Sequence, residues 1–212
     1  IAVLKAYEPE WVIAENVSGI SGREAGKQFK KILTELANAG RGYNVVAHLY
    51  KFEEYGVPQS RHRYVIVGIR QDIAKKRNLR FKPPAPTHGP GRKYPYVTVA
   101  KALKSVKNNT EWGGRLTRQS ENVVWRLKFT PPGENAWKLD EIVDVKKFPD
   151  DELLKYLRKI PWFEKDILPL GSVSAMRAKI EECRLHCRKA RMSHIYRRLE
   201  ADKPAYTLTG SG

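Results

Sequence analysis

Two cysteines among 212 residues are too few for a disulfide framework, and a reducing compartment fits. No apolar run approaches the roughly 20 residues that cross a bilayer, and nothing resembles a secretory leader. A soluble cytoplasmic protein with no membrane partner is expected. Internal repeats and low-complexity tracts are absent. Acids are scarce: 23 Asp and Glu stand against 40 Lys and Arg, for a net charge of +17 and a pI near 9.9. Such an excess points to a polyanionic partner, most often nucleic acid. Hydrophobic residues make up 41%, which permits a packed core and argues against disorder. The length suits one large domain or two small ones. The sequence opens at Ile1 and stops at Gly210-Ser211-Gly212, and both ends are expected to be cuts within something longer.

Gly56-Val57-Pro58-Gln59-Ser60-Arg61-His62-Arg63 runs into the apolar, β-branched stretch Tyr64-Val65-Ile66-Val67-Gly68, which reads as a buried strand. In an extended chain, Gln59, Arg61 and Arg63 share one face while Ser60, His62 and Tyr64 share the other. Two guanidiniums and an amide side by side make a grip for an anion or a base edge. Two solvated arginines at a strand mouth are the plainer alternative.

Upstream, Ile1 to Tyr7 reads as the end of a helix. Trp11-Val12-Ile13-Ala14 reads as a strand buried on both faces of a parallel sheet, ending in Glu15-Asn16-Val17. In open α/β sheets, ligands gather outside the carboxyl ends of strands, so an acid and an amide there stand where chemistry occurs. Glu15 as a simple cap or salt-bridge partner is the alternative. Ser21-Gly22-Arg23-Glu24 has the form of a capping box, and Phe29, Ile32, Leu33, Leu36 and Ala37 form a helical stripe that Gly40 ends. Tyr43 to Tyr50 reads as the next strand. Too few residues separate it from the Tyr64 strand for a helical crossover, so the two should pair antiparallel.

Prolines 83, 84, 86, 90 and 95, mixed with Gly89 and Gly91, cannot continue a helix or a central strand. Residues 83–95 are therefore expected to be a hinge between a domain 1–82 and a smaller mixed α/β domain 96–212. In the second part, a short helix is expected near Val99, a loop over 108–117 and a turn at 131–135. A helix is expected over 151–159, and a longer one capped by Ser172 or Ser174 with Met176, Ile180, Cys183 and Cys187 on its apolar face. Cys183, His186 and Cys187 suggest a metal, but a closed zinc site needs four ligands and no second pair stands at a usual spacing. Buried thiols explain the cysteines, and no metal is expected. Near the end, Tyr196-Arg197-Arg198 is basic and aromatic. Thr207-Leu208-Thr209-Gly210 has the small hydroxyls and glycines that let a backbone approach phosphate, or it is a plain surface loop.

Three of these stretches together resemble the DNA (cytosine-5)-methyltransferase family. Glu15-Asn16-Val17 resembles the family's Glu-Asn-Val motif. Tyr55-Gly56-Val57-Pro58-Gln59-Ser60-Arg61-His62-Arg63 resembles its Gln-x-Arg-x-Arg motif, the most specific match. Thr207-Leu208 resembles the Thr-Leu element of the target-recognition domain. The resemblance covers most of residues 1–80 and the stretch from Ser193 onward. It implies the C-terminal part of a Rossmann-like methyltransferase sheet with an antiparallel last strand, followed by an incomplete target-recognition domain. Double-stranded DNA is the implied partner, in the bacterial nucleoid and within restriction–modification.

The departures are equally informative. The family's nucleophile lies in a Pro-Cys motif, and neither Cys183 nor Cys187 follows a proline. The glycine-rich loop for S-adenosylmethionine and the final Gly-Asn motif have no match either. A separate N-terminal half, in the same chain or another subunit, is the expected source of the nucleophile and most of the cofactor site, and this piece alone should not transfer methyl groups. A carboxyl group hydrogen-bonding cytosine N3 and its exocyclic amine is the role expected of Glu15, and by the resemblance Asn16 supports the local geometry. Arg61 and Arg63 are both candidates to donate to O2; the resemblance leans towards Arg63 for the base, with Arg61 bracing the site or a phosphate. Gln59, Ser60, Arg184, Arg188, Arg197, Arg198, Thr207, Thr209 and Gly210 are the expected DNA contacts. A non-catalytic DNA-binding module and an RNA cytosine methyltransferase of the same family are the competing readings.

Overall fold

The computed structural model describes residues 1–21, 25–104, 106, 118–186 and 196–207. They fall into two compact units. One is Ile1–Thr98 together with the return segment that begins at Pro204; the other is Val99–Lys203.

The first unit begins with helix α1 (Ala2–Tyr7), closed by Glu8 in the left-handed region (φ 42°). Strand β1 (Trp11–Val17) follows, then a 3-10 turn at Ser18–Ser21 and helix α2 (Ala25–Ala37). Most of the expected capping box lies outside the described residues. The chain reverses after α2 with Gly40 at φ 55° and enters β2 (Tyr43–Lys51). A 3-10 turn (Phe52–Tyr55) leads through Gly56, whose φ of 88° suits glycine, to the two-residue β3 (Gln59–Ser60), then β4 (His62–Arg70) and helix α3 (Gln71–Lys76).

The sheet order is β1-β4-β2, with β4 antiparallel to both neighbours. The expected antiparallel pairing of β2 with β4 is present. The reading of β1 as buried in a parallel sheet is corrected. β4 lies between β1 and β2, so the two parallel strands never touch, and β1 has a single strand partner among the described residues. α2 supplies the cover on one face only, where Val12 and Ala14 join Leu4, Phe29, Leu36, Tyr43 and Ile66. The opposite face of β1 carries Trp11, Ile13, Glu15 and Val17, all exposed, with Ile13 at 71%. An all-apolar tetrad does not reveal which of its two faces will be covered. Glu15-Asn16-Val17 accordingly lies within the strand rather than beyond it. The central strand β4 is the one buried, from Ile66 through Ile69. On α2, Phe29 and Leu36 are buried as expected, while Ile32 faces solvent.

The proline-rich stretch expected as a hinge is tied to the turn after β2. Thr87 and His88 both donate their N–H to the Glu54 carbonyl at 2.9 Å, and the Tyr55 hydroxyl donates to the Pro84 carbonyl at 3.0 Å. Proline removes a donor, but the carbonyls and the neighbouring N–H groups remain available for such bonds. The boundary between units therefore falls at 98/99, and the chain rejoins the first unit at Pro204.

The second unit contains α4 (Val99–Lys104), α5 (Glu121–Phe129), α6 (Lys138–Ile142), α7 (Asp150–Leu157), a π-helical turn (Phe163–Ile167), a 3-10 turn (Leu168–Leu170) and α8 (Val173–Cys183). Among the described residues of this unit there is no strand; the one strand described within the expected domain 96–212 is β5 (Ala205–Tyr206), on the return segment. The apolar residues recur at helical rather than alternating spacing, and Phe129, Leu139, Leu153, Leu157, Met176 and Ile180 close into one buried core. Ser172 caps α8, its Oγ accepting the Ala175 N–H at 3.1 Å. The expected loop over 108–117 lies outside the described residues.

Candidate active site

Antiparallel register builds the site. Glu15 pairs with Val65 and Val17 pairs with Arg63, so Glu15 and Arg63 are diagonal neighbours on the same face. Long side chains span such a diagonal. Here Arg63 Nε donates to Glu15 Oε1 at 2.7 Å, and Arg61 Nη2 lies 3.9 Å from the same oxygen. One carboxylate and two guanidiniums thus converge from β1 and the start of β4. Arg63 is the better held: its side chain is 15% exposed against 38% for Arg61, and its Nη1 also donates to the His62 carbonyl at 2.8 Å. Glu15 is half open to solvent. Asn16 lies on the opposite face, and its Oδ1 accepts the Val17 N–H at 2.8 Å. Beside Arg63 on the neighbouring strand is Tyr50, whose phenol is pushed up by burial.

The return segment closes against the same turn. Strand β5 (Ala205–Tyr206) pairs parallel with β3, setting Gln59 opposite Ala205 and Ser60 opposite Tyr206. Ala205 N–H donates to the Pro58 carbonyl at 2.9 Å, and Thr207 Oγ1 donates to the Ser60 carbonyl at 2.8 Å. Gln59, Ser60, Arg61, Arg63 and Thr207 therefore gather around one turn, though about 147 positions separate Ser60 from Thr207. Thr209 and Gly210 lie outside the described residues.

The remaining basic candidates sit in the second unit and are engaged within it. Arg184 pairs with Glu181 at 2.7 Å and Asp140 at 3.3 Å. Arg197 Nε donates to the Gly133 carbonyl at 3.2 Å. Arg198 stacks 3.8 Å from the Trp162 ring centroid and donates to the Leu127 carbonyl at 2.7 Å, and burial lowers its pKa. Arg188 is outside the described residues. Two further arginines hold helix ends: Arg126 donates to the Cys183 carbonyl, and Arg177 to the carbonyls of Ile142 and Val143. Cations at helix C-termini satisfy open carbonyls and oppose the helix dipole. Part of the positive charge is thus spent on the fold. Cys183 is fully buried on α8, and burial pushes its thiol up to about 11. Cys187 is outside the described residues.

An acid bracketed by two arginines at the end of a sheet, on the very motifs quoted above, agrees with a family match. Residues 1–189 fit the model of the C-5 cytosine-specific DNA methylase family. The chain belongs to that family. Among its methylase relatives, the Type II methyltransferase M.BbvI of Brevibacillus brevis is 40% identical over 213 residues, which is all of this chain and 44% of the relative. M.NgoFVII of Neisseria gonorrhoeae is 29% identical over 99% of this chain and 44% of its own length. M.BspRI of Lysinibacillus sphaericus is 40% identical over 49% of this chain and 23% of its own. This methylase chain therefore spans less than half the length of these relatives.

Glu15, Arg61 and Arg63, singled out from the sequence, are brought together; Glu53, which was not singled out, is 8% exposed and lies 2.6 Å from His62 Nε2 through its Oε1. The available signal was its place in a short acidic turn just ahead of the Gly-Val-Pro stretch.

Proposed function

We propose that this methylase chain supplies the base-recognition part of a DNA (cytosine-5)-methyltransferase, in which a flipped cytosine is gripped along its polar edge by Glu15 and Arg63. Carbon 6 of cytosine is a poor electrophile. A thiolate adds there only as negative charge moving onto N3 and O2 is stabilised. Glu15 meets N3 and the exocyclic amine, sharing a proton with N3 as charge builds, and Arg63 donates to O2. Arg61 stands behind them, as a brace or a phosphate contact. The base must leave the helical stack to reach this pair. The observation that carries the reading is the convergence of Arg63 and Arg61 on Glu15 Oε1.

Double-stranded DNA is the substrate, methylated within a restriction–modification system in the bacterial cytoplasm. The pairing of β3 with β5 supports a phosphate- or groove-facing role for Gln59, Ser60 and Thr207 beside the base site. The nucleophile comes from outside these 212 residues: Cys183 is buried, and neither it nor Cys187 follows a proline. S-adenosylmethionine is the methyl donor of such an enzyme. Among the described residues, the turn after β1 closes as 3-10 helix Ser18–Ser21 with a single glycine, which does not make a glycine-rich nucleotide cradle.

Covalent trapping on a duplex containing 5-fluorocytosine tests the reading. The protein joined to its Pro-Cys segment should form a stable adduct, and Glu15→Gln should slow its formation. This chain alone should bind the duplex, weakening with added salt, without trapping. An adduct formed at the same rate with Glu15→Gln would refute the role of Glu15, and trapping by this chain alone would refute an external nucleophile.

A further inference from the structure

The turn Phe52–Tyr55 grips the segment that carries both arginines. Phe52 N–H donates to the Arg61 carbonyl at 3.0 Å. One residue on, the Glu53 carboxylate meets His62 Nε2 at 2.6 Å. His62 sits between Arg61 and Arg63, and its own carbonyl receives Arg63 Nη1 at 2.8 Å. Arg63 then reaches Glu15. Glu53, His62, Arg63 and Glu15 thus form a continuous chain of polar contacts leading from a buried carboxylate to the exposed one.

Glu53 is an expensive residue for stability alone. It is 8% exposed, and its Oε2 is buried with no hydrogen-bond partner among the described residues. A half-satisfied buried carboxylate costs free energy that an apolar side chain of similar size would not. Such locally unfavourable choices concentrate where a site must be held in place. We infer that Glu53 and His62 are positioning residues for the Arg63–Glu15 pair, fixing the carbonyl against which the Arg63 guanidinium is aimed. This rests on the base-gripping role proposed above. His62 is not a catalytic residue in this scheme; it acts through Arg63. A histidine ring pinned at Nε2 sets the orientation of its own backbone, so loss of the ring frees the carbonyl and lets the guanidinium turn.

The test uses the full-length methyltransferase containing this chain, with unmethylated genomic DNA and labelled S-adenosylmethionine, read as kcat, KM for DNA and melting temperature. His62→Ala should lower kcat about 10- to 100-fold, the scale of a small misplacement of a reacting group. KM and melting temperature should stay close to the parent values. His62→Gln, whose amide N–H can still donate to Glu53, should recover most of the loss. Glu53→Gln combined with His62→Ala should be no worse than His62→Ala alone, because the two residues act as one unit. Glu15→Gln is run alongside. If Glu15→Gln loses turnover while His62→Ala keeps it, the positioning inference is overturned and the base-gripping role stands. If Glu15→Gln also keeps turnover, the base-gripping role itself has failed. If His62→Ala lowers kcat, affinity and melting temperature together, with no recovery in His62→Gln, the residue is merely structural and the inference is overturned.

Discussion

Replacing Glu15 by glutamine separates what the Glu15–Arg63 contact does for the fold from what it does for the reaction. Glutamine keeps an oxygen where Arg63 Nε now donates at 2.7 Å, so the shape survives and the charge goes. The Glu15 side chain is 52% exposed, and an ion pair this open contributes about 0–1 kcal/mol to stability. At roughly 2–4 °C per kcal/mol for a chain of this size, the melting temperature should move by less than about 4 °C. Under the proposed base-gripping role the reaction is more sensitive, because that role aims the carboxyl at charge that develops only as the base is attacked. Removing one such partner typically costs about 100- to 1000-fold in kcat, or roughly 3–4 kcal/mol. Methyl transfer to DNA by the full-length methyltransferase containing this chain gives kcat, and fluorescence anisotropy of the same protein on the same duplex gives affinity. Affinity should change by no more than about threefold, within what an exposed charge contributes. If kcat and affinity fall by the same factor, Glu15 is a binding residue and the scheme is wrong.

Arg63→Lys should cost more turnover than Arg61→Lys. Arg63 uses Nε on Glu15 and Nη1 on the His62 carbonyl, a fork that a single ammonium cannot reproduce, whereas Arg61 stands 3.9 Å from Glu15. The reverse order in a steady-state assay would exchange their roles. Leu157→Ala, at a fully buried position of the helical core, should lower unfolding free energy by about 2–5 kcal/mol in urea titrations. A loss below about 1 kcal/mol would mean that the core around α7 is not packed as described. Cys183, its thiol pushed up to about 11, should be about one part in a thousand thiolate at pH 8. Peptide mapping should find it unalkylated in the native protein and labelled in denaturant; fast native labelling would contradict its burial. Because the unfolded thiol ionises first, near its ordinary 9.0, this residue's contribution to stability should be lost as pH climbs from there towards 11.

Motifs with local geometry were legible before folding. The Gln59–Arg63 alternation predicted two guanidiniums on one face, and both reach Glu15. The Ser172 cap and the stripe of Met176, Ile180 and Cys183 were equally readable, because helical spacing and capping are set within a few residues. The covered side of β1 was not. Trp11 to Ala14 is apolar on both sides, and only the insertion of β4 and the placement of α2 decide that Val12 is inside and Ile13 outside. Nor could composition say what each cation does. Arg126, Arg177 and Arg198 are bound to backbone carbonyls within the helical unit, a use that composition cannot separate from DNA contact.

By itself the amino-acid order determined the family, the acid and arginines to watch, and the helices whose apolar period is 3.6, since each depends on neighbours a few positions apart. Tertiary structure alone decided that Glu15 and Arg63 meet diagonally across β1 and β4, that Thr207 docks on Ser60, and that Glu53 sits under His62. Those contacts join residues from 9 to 147 positions apart. Strand register and chain return set them, and neither is written in any one stretch of sequence.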